Sequence, residues 1–306
     1  MASTSASPIE EHIAVTPAAE IGPDVYTNVI ALAREDGQRS VLGAYLVSQA
    51  VAAACATVSS AFRPYSSQST FLAPADKNEK IVYRVERVAD GRNFITRIVR
   101  ASQGTASVYV AVISFQSVAS TSGNQLKYGL PMIELDGTPD DVDPTAMAAM
   151  QKSMVDPSTP VLLQKPQERL LDWRPYSLEA ADEPTGFRVR GFVKAGRQLS
   201  TRDPVAHLTS LAYASDDLFF GIALAANPVV VGRGWRNVAF AASLTHNVSF
   251  HDTDAKIDDW LVLERETSWG AEGRVMVHQR FWARDTGNLV LSASQEAVIR
   301  LRGPKM

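Results

Sequence analysis

Apolar and polar positions divide this chain into two kinds of segment that recur in the same order. From Ser40 the run SVLGAYLVSQAVAAACATVSS is apolar nearly all round at helical spacing. That pattern predicts a buried helix rather than a surface one, with Ser40 as its N-cap. Strand-like runs follow at Ile81–Val88, Phe94–Ser102 and Ser107–Gln116. Within the last, Val108-Tyr109-Val110-Ala111-Val112-Ile113 is apolar on both parities, as a strand covered on both faces should be. Residues 117–185 break the rhythm with prolines, the acidic stretch Asp136–Asp143 and a Met-rich helical piece, Thr145–Met154. The order then resumes with a strand at Phe187–Lys194. A second helix opens at Asp203-Pro204, an N-cap followed by proline at the first helical position, and runs through VAHLTSLAYASDDLFFGIAL. Strands are predicted again at Val238–Phe250, Trp260–Glu266, Arg274–Arg284 and Leu289–Ile299.

The two halves also match in sequence. Ser69–Gln116 aligns with Val248–Gln295 at an offset of about 179 residues that drifts by one at the central triplet: Phe71 against Phe250, Val85-Glu86-Arg87 against Leu263-Glu264-Arg265, Gln116 against Gln295. A repeat this long is a duplicated module. Each copy is one long apolar helix followed by an antiparallel meander, and only a sheet curled around such a helix covers most of its sides. The expectation is an α+β double hotdog. It comprises a flexible arm over 1–25, a first module over 26–118, a connection over 119–185 and a second module over 186–303 that carries the site.

Composition narrows the function classes. The chain has 306 residues and 33.2 kDa, is 45% hydrophobic and 21% charged, and carries a net charge of −3 with a pI near 6.0. These values describe a globular protein, and no basic run offers a nucleic-acid footprint. The single cysteine, Cys55, excludes an intrachain disulfide framework and reads as a small buried hydrophobe. MASTSASPIEEH lacks the charged start and apolar core of a secretory signal, and no run reaches the ~20 apolar residues of a membrane span. The expected location is intracellular and soluble, cytoplasmic or peroxisomal. Pro304-Lys305-Met306 is a loose version of the C-terminal peroxisomal address.

Three polar residues of the second half stand where apolar ones are expected. At helical spacing Asp216 is flanked by Ala212 and Phe219-Phe220. A carboxylate there is either partnered or has a raised pKa, as a general base requires; the alternative is a residue on the helix's wet edge, the role read for Asp217. By period two Gln295 shares a face with Leu289, Leu291 and Ala293 and points inward, where its amide needs partners for both ends. Ser243 shares a face with the small Ala239 and Ala241. For each of the last two, plain structural hydrogen bonding is the alternative to a catalytic role.

Taken in order, these pieces resemble the acyl-CoA thioesterase II family of double-hotdog hydrolases, over about Gly43 to Arg300. The first half contributes Leu42-Gly43, Gln49-Ala50, Phe71-Leu72, Tyr83-Arg84-Val85-Glu86-Arg87, Asp90-Gly91-Arg92-Asn93-Phe94, Arg97, Gln103 and Ser114-Phe115-Gln116. The second contributes Leu211-Ala212-Tyr213-Ala214-Ser215-Asp216, His246, Phe250-His251, Asp259-Trp260-Leu261 and Gln295-Glu296. The resemblance implies that Asp216, Ser243 and Gln295 orient and activate water against a thioester carbonyl. Backbone N–H groups near a helix start would bind the oxyanion. It also implies an acyl-CoA or acyl-carrier thioester as substrate, no cofactor, and a homo-oligomer. The chain departs from the family pattern at Gly43-Ala44-Tyr45, at Tyr65-Ser66-Ser67-Gln68 and at Thr245-His246. Tyr45, Thr245 and His246 are therefore the expected pocket residues that set an unusual acyl preference. No Asp of the first half matches Asp216, so one site per chain is expected.

Other chemistries find no motif. There is no G-x-S-x-G elbow, and no H-E-x-x-H, C-x-x-C or P-loop for a metal or nucleotide. Two rivals stay open: a hotdog lyase, dehydratase or cyclase acting on a polyketide or acyl intermediate, and a non-catalytic acyl-binding protein.

Overall fold

The computed structural model describes residues 6–32, 41–121, 124–143, 170–232 and 235–303. Ser40, Thr145–Met154 and Pro304-Lys305-Met306 lie outside the described residues.

Two helices of opposite direction make the centre. Helix α2 (Gly43–Cys55) is buried along most of its length, from Ala44 to Val51 and at Ala53 and Ala54, as its all-round apolar sequence predicts. Helix α3 (Pro204–Asp216) starts where the Asp203 side chain accepts the Val205 N–H at 3.0 Å, the N-cap read from the sequence. Tyr45, near the start of α2, packs on Tyr213, near the end of α3, with ring centroids 5.3 Å apart. The two helices are therefore antiparallel. Small α2 side chains permit this close approach.

The second helix does not run on to Leu224 as the hydrophobic pattern suggests. It stops at Asp216; Asp217 is extended and Leu218 has φ 55°, in the left-handed region. Two short helices, α4 (Gly221–Ala225) and α5 (Pro228–Val231), follow the break.

An antiparallel sheet wraps this pair. Before α2 come β1 (Val15–Pro17) and β2 (Val25–Asn28). After it come β3 (Phe62–Phe71), β4 (Val82–Asp90), β5 (Phe94–Gln103) and β6 (Ala106–Ser117). The second half supplies β7 (Leu171–Glu179) and β8 (Arg188–Ala195) before α3, then β9 (Val238–Phe250), β10 (Leu261–Ala271), β11 (Arg274–Ala283) and β12 (Leu289–Leu301). Among the described residues all twelve strands form one sheet, ordered β1-β2-β4-β5-β6-β3-β9-β12-β11-β10-β8-β7. The order reads the same from either edge once each strand is replaced by its counterpart, and the halves join at β3–β9, from Ser66↔Ser249 to Thr70↔Thr245. This is the double hotdog.

Three differences from the sequence reading have physical causes. Residues 6–25 are not a loose arm: α1 (Pro8–Ile13) buries Ile9 and Ile13, Ala18 is also buried, and Glu10 takes the Ser200 N–H. Strand β3 escapes a hydrophobic scan because Pro64, three serines and Gln68 dilute it. Strand β7 lies inside the expected connection, paired with β8; ahead of it Met132, Ile133 and Leu135 cover Phe192 and Trp282 on the outer face of the sheet.

Candidate active site

The site begins with the way α3 ends. A helix leaves its last carbonyls without intrahelical donors, and here side chains of the sheet supply them. Gln279 Nε2 donates to the Ser215 carbonyl, and His246 Nε2 lies 3.2 Å from that carbonyl and from Ser215 Oγ. Arg265 Nη2 donates to the Asp217 carbonyl at 2.9 Å. The helix therefore stops with Asp216 as its last residue, 7% exposed and turned toward the sheet.

Strand β12 presents Gln295 to it. Gln295 Nε2 donates to Asp216 Oδ1 at 2.5 Å and to Ser243 Oγ, on β9, at 3.1 Å. Gln295 is wholly buried, and its Oε1 has no hydrogen-bond partner among the described residues. A bulge in β9 makes the trio possible. Glu296 pairs with Thr245 but Ala297 pairs with Ser243, so Leu244 is the extra residue. The bulge reverses the in–out alternation, and Ser243 and His246, of opposite parity, both face the helices.

The other wall belongs to the first half. A Cβ on Gly43, the first residue of α2, would lie 2.6 Å from Asp216 Oδ2 and 2.8 Å from the Phe71 ring. Only glycine admits the carboxylate so close to the start of α2, whose N-cap residue Leu42 offers no side-chain cap. Phe71 in turn packs on Tyr109, centroids 5.2 Å apart.

Burial sets the charge state. Loss of solvent, then the neighbouring Asp217, push the Asp216 carboxyl up to about 7, against the opposing pull of Gln295 and Arg265. Asp217 is also raised by burial, although Trp173 Nε1 donates to it at 2.7 Å; it is thus engaged, not on a wet edge. Burial lowers His246 to about 4, so its imidazole is neutral. Asp216 titrates where a general base at neutral pH should.

The structure thus brings Asp216, Ser243 and Gln295 together. The three expected pocket residues do not join this trio. His246 is wholly buried and holds the end of α3. Thr245 lies on the opposite face of the sheet, its Oγ1 accepting the Glu296 N–H at 3.3 Å. Tyr45 is 3% exposed, stacked on His12 and packed at a tilt against Tyr213. Sequence reasoning missed Arg265 and Gln279 as supports of Asp216 and undervalued Gly43. An arginine at inward parity between Leu263 and Thr267 was the available signal.

Strand pairing also shows why the first half has no equivalent site. Phe71 pairs with Tyr109 and Phe250 with Leu291; four residues on, Ser67 pairs with Ile113 where His246 pairs with Gln295. Ile113, not the sequence-aligned Gln116, takes the place of Gln295. The matching bulge puts Pro64 in the place of Ser243, and α2 ends in Cys55 where α3 ends in Asp216. Among the described residues no cluster of three His, Cys, Asp or Glu could hold a metal ion.

Comparison with known proteins points one way. A family model described as the acyl-CoA thioesterase N-terminal domain matches residues 33–116, and one described as the C-terminal domain matches residues 139–299. Acyl-coenzyme A thioesterase 8 of Mus musculus is 28% identical over 271 residues, covering 86% of this chain and 81% of the mouse protein. Peroxisomal acyl-coenzyme A thioester hydrolase 1 of Saccharomyces cerevisiae is 32% identical over 123 residues, 40% of this chain and 35% of the yeast one. The crystal structure of an acyl-CoA thioesterase II, TesB2, from Mycobacterium marinum superposes with a TM-score of 0.72 at 22% identity, covering 97% and 99% of the two chains. At that identity it speaks for the fold.

The Gly43 contact yields a prediction. Gly43→Ala should fold, because alanine suits a helix start, yet lose activity by about a hundredfold as the methyl displaces the carboxylate. Circular dichroism and turnover check the two halves of that statement; near-normal turnover would mean that the carboxylate need not sit there.

Proposed function

The chain belongs to the acyl-CoA thioesterase family, and we propose that it hydrolyses acyl-CoA thioesters at one site per chain with Asp216 as general base. The observation that carries this reading is the Asp216 carboxylate, buried and held at 2.5 Å by a neutral amide rather than by a cation. A carboxylate so placed keeps a high proton affinity and remains able to take a proton.

In the proposed sequence the ionised Asp216 removes a proton from water as the water oxygen attacks the thioester carbonyl. Gln295 fixes Oδ1 and leaves Oδ2 turned toward the start of α2. The second hydrogen of the water is taken by Ser243 Oγ, which Gln295 Nε2 holds in place at 3.1 Å. The carbonyl oxygen becomes an oxyanion, and the first N–H groups of α2, which have no intrahelical acceptors, meet it. Collapse breaks the C–S bond, and the proton on Asp216 passes to the departing thiolate. Acid and free thiol leave, and no covalent acyl-enzyme forms.

This arrangement argues against both rivals. Asp216 reaches Gln295 directly and Ser243 through it, which a mere acyl carrier would not need. Against a lyase, two titratable neighbours are otherwise engaged: Asp217 by Trp173 Nε1, and the wholly buried, neutral His246 by Ser215. Among the described residues no helix is long and apolar enough to cross a membrane. A peroxisomal location is the finer reading, supported by the name of the yeast relative.

Thiol release from short, medium and long acyl-CoAs, followed with a thiol reagent, tests the proposal. Wild type should release thiol with kcat/KM rising through about pH 7 and level above it, because the base must lose its proton. Asp216→Asn should lose at least about a hundredfold. The same variant makes a stability prediction of defined sign. The folded carboxyl titrates at about 7 against 3.8 when exposed, so the stability it contributes is complete below 3.8 and is lost as pH rises through 7. Asp216→Asn should therefore melt above wild type at pH 8, with the difference vanishing toward pH 4. Undiminished thiol release from the variant would sink the assignment of the base.

A further inference from the structure

Beyond the trio itself, one buried cation has no use in the chemistry just described. Arg265 lies on β10, is 6% exposed, and forms no ion pair among the described residues. Burying a guanidinium without a carboxylate partner is costly unless its N–H groups are all engaged. Here Nε donates to Gln279 Oε1 at 2.9 Å, Nη2 to the Asp217 carbonyl at 2.9 Å, and Nη1 approaches the Leu218 carbonyl at 3.4 Å. Its plane lies 4.4 Å from the centroid of Trp173, whose Nε1 donates to Asp217 Oδ2. Gln279, oriented by Arg265, holds the Ser215 carbonyl. The Ser215 carbonyl before Asp216 and the Asp217 carbonyl after it are thus tied to one guanidinium–amide pair.

We propose that Arg265 is a positioning residue for the Asp216 base: by holding the Asp217 and Leu218 carbonyls, and Ser215 through Gln279, it ends the helix at Asp216 and aims that carboxylate at Gln295. The inference rests on the hydrolytic reading above. The first half supplies a contrast. There Arg97 meets the end of α2, donating to Thr57 Oγ1 at 3.0 Å, but its charge is spent on Asp90 at 2.5 Å. Arg265 keeps its charge for the end of α3. The groups that face Asp216 are Asp217 from its own segment, Arg265 from β10, Tyr109 from β6, and the uncharged Gln295, Ser243 and His246 from β12 and β9. Arg265 is the one cation in that set, and it favours the ionised base.

Three variants, each assayed for thiol release across pH and for thermal stability, test the inference. Arg265→Gln should lower kcat by about a hundredfold with KM changed far less, and should move the acid limb of kcat/KM to higher pH. Arg265→Lys restores the charge but not the planar fork, so the limb should return to its wild-type position while kcat stays depressed. Arg97→Gln should lower the melting temperature and leave the limb where it is. A folded Arg265→Gln with a wild-type limb and kcat overturns the inference. If that variant does not fold, wild-type kcat in Arg265→Lys overturns it instead. Failure of the hydrolytic reading is separable: wild type would then release no thiol at all.

Discussion

The structure turns on keeping one carboxylate out of water and against the start of a neighbouring helix. Burial raises the proton affinity of Asp216 toward neutrality, which suits the proposed role of base, but it also makes the folded state carry an unfavourable charge above pH 7. The surrounding features follow from that tension. Gly43 gives up its side chain so that Oδ2 can approach α2. Gln295 stabilises the charge with a neutral donor, enough to hold the carboxylate without collapsing its proton affinity. The Ser215 and Asp217 carbonyls that bracket it are held by side chains of β9, β10 and β11, so the last residue of a helix, ordinarily the place where it frays, is tied down.

Duplication explains how the site is divided. Asp216, Ser243 and Gln295 all come from the second half, while Gly43 and Phe71, which close the other wall, come from the first. Because α2 and α3 are antiparallel, the end of each helix meets the start of the other, so two such places exist in the fold. One is lost: Pro64 has no hydroxyl, Ile113 has no amide, and Cys55 is a half-buried thiol that desolvation pushes up to about 12. The first half contributes instead a helix start and aromatic walls. Neither half makes a site alone.

Much of this was legible in the sequence, for reasons that differ from place to place. The Asp203-Pro204 start of α3 and the full span of β9 follow from local capping and periodicity. Asp216, Ser243 and Gln295 stand out as polar residues at positions that periodicity marks as apolar. The stop at Asp216 was hidden, because the donors that impose it lie 31 residues away at His246 and 64 away at Gln279. The bulge at Leu244 was hidden as well, since periodicity assumes an unbroken pleat; Thr245 and His246 drew notice as departures from the family pattern, which says nothing of which face each side chain takes. Pro64 and its serines concealed β3, and the polar opening of the chain concealed α1, whose two isoleucines are anchors too sparse to form a pattern.

The proposed role of Asp216 requires a carboxyl of raised proton affinity in the folded, unliganded protein. Titration of the aspartate carboxyl carbons by ¹³C NMR, with Asp216→Asn supplying the assignment, measures this directly. One carboxyl should titrate with a midpoint near pH 7 and disappear in the variant. A midpoint for Asp216 in the ordinary range near 4 would contradict it, and water activation at this site would need another base.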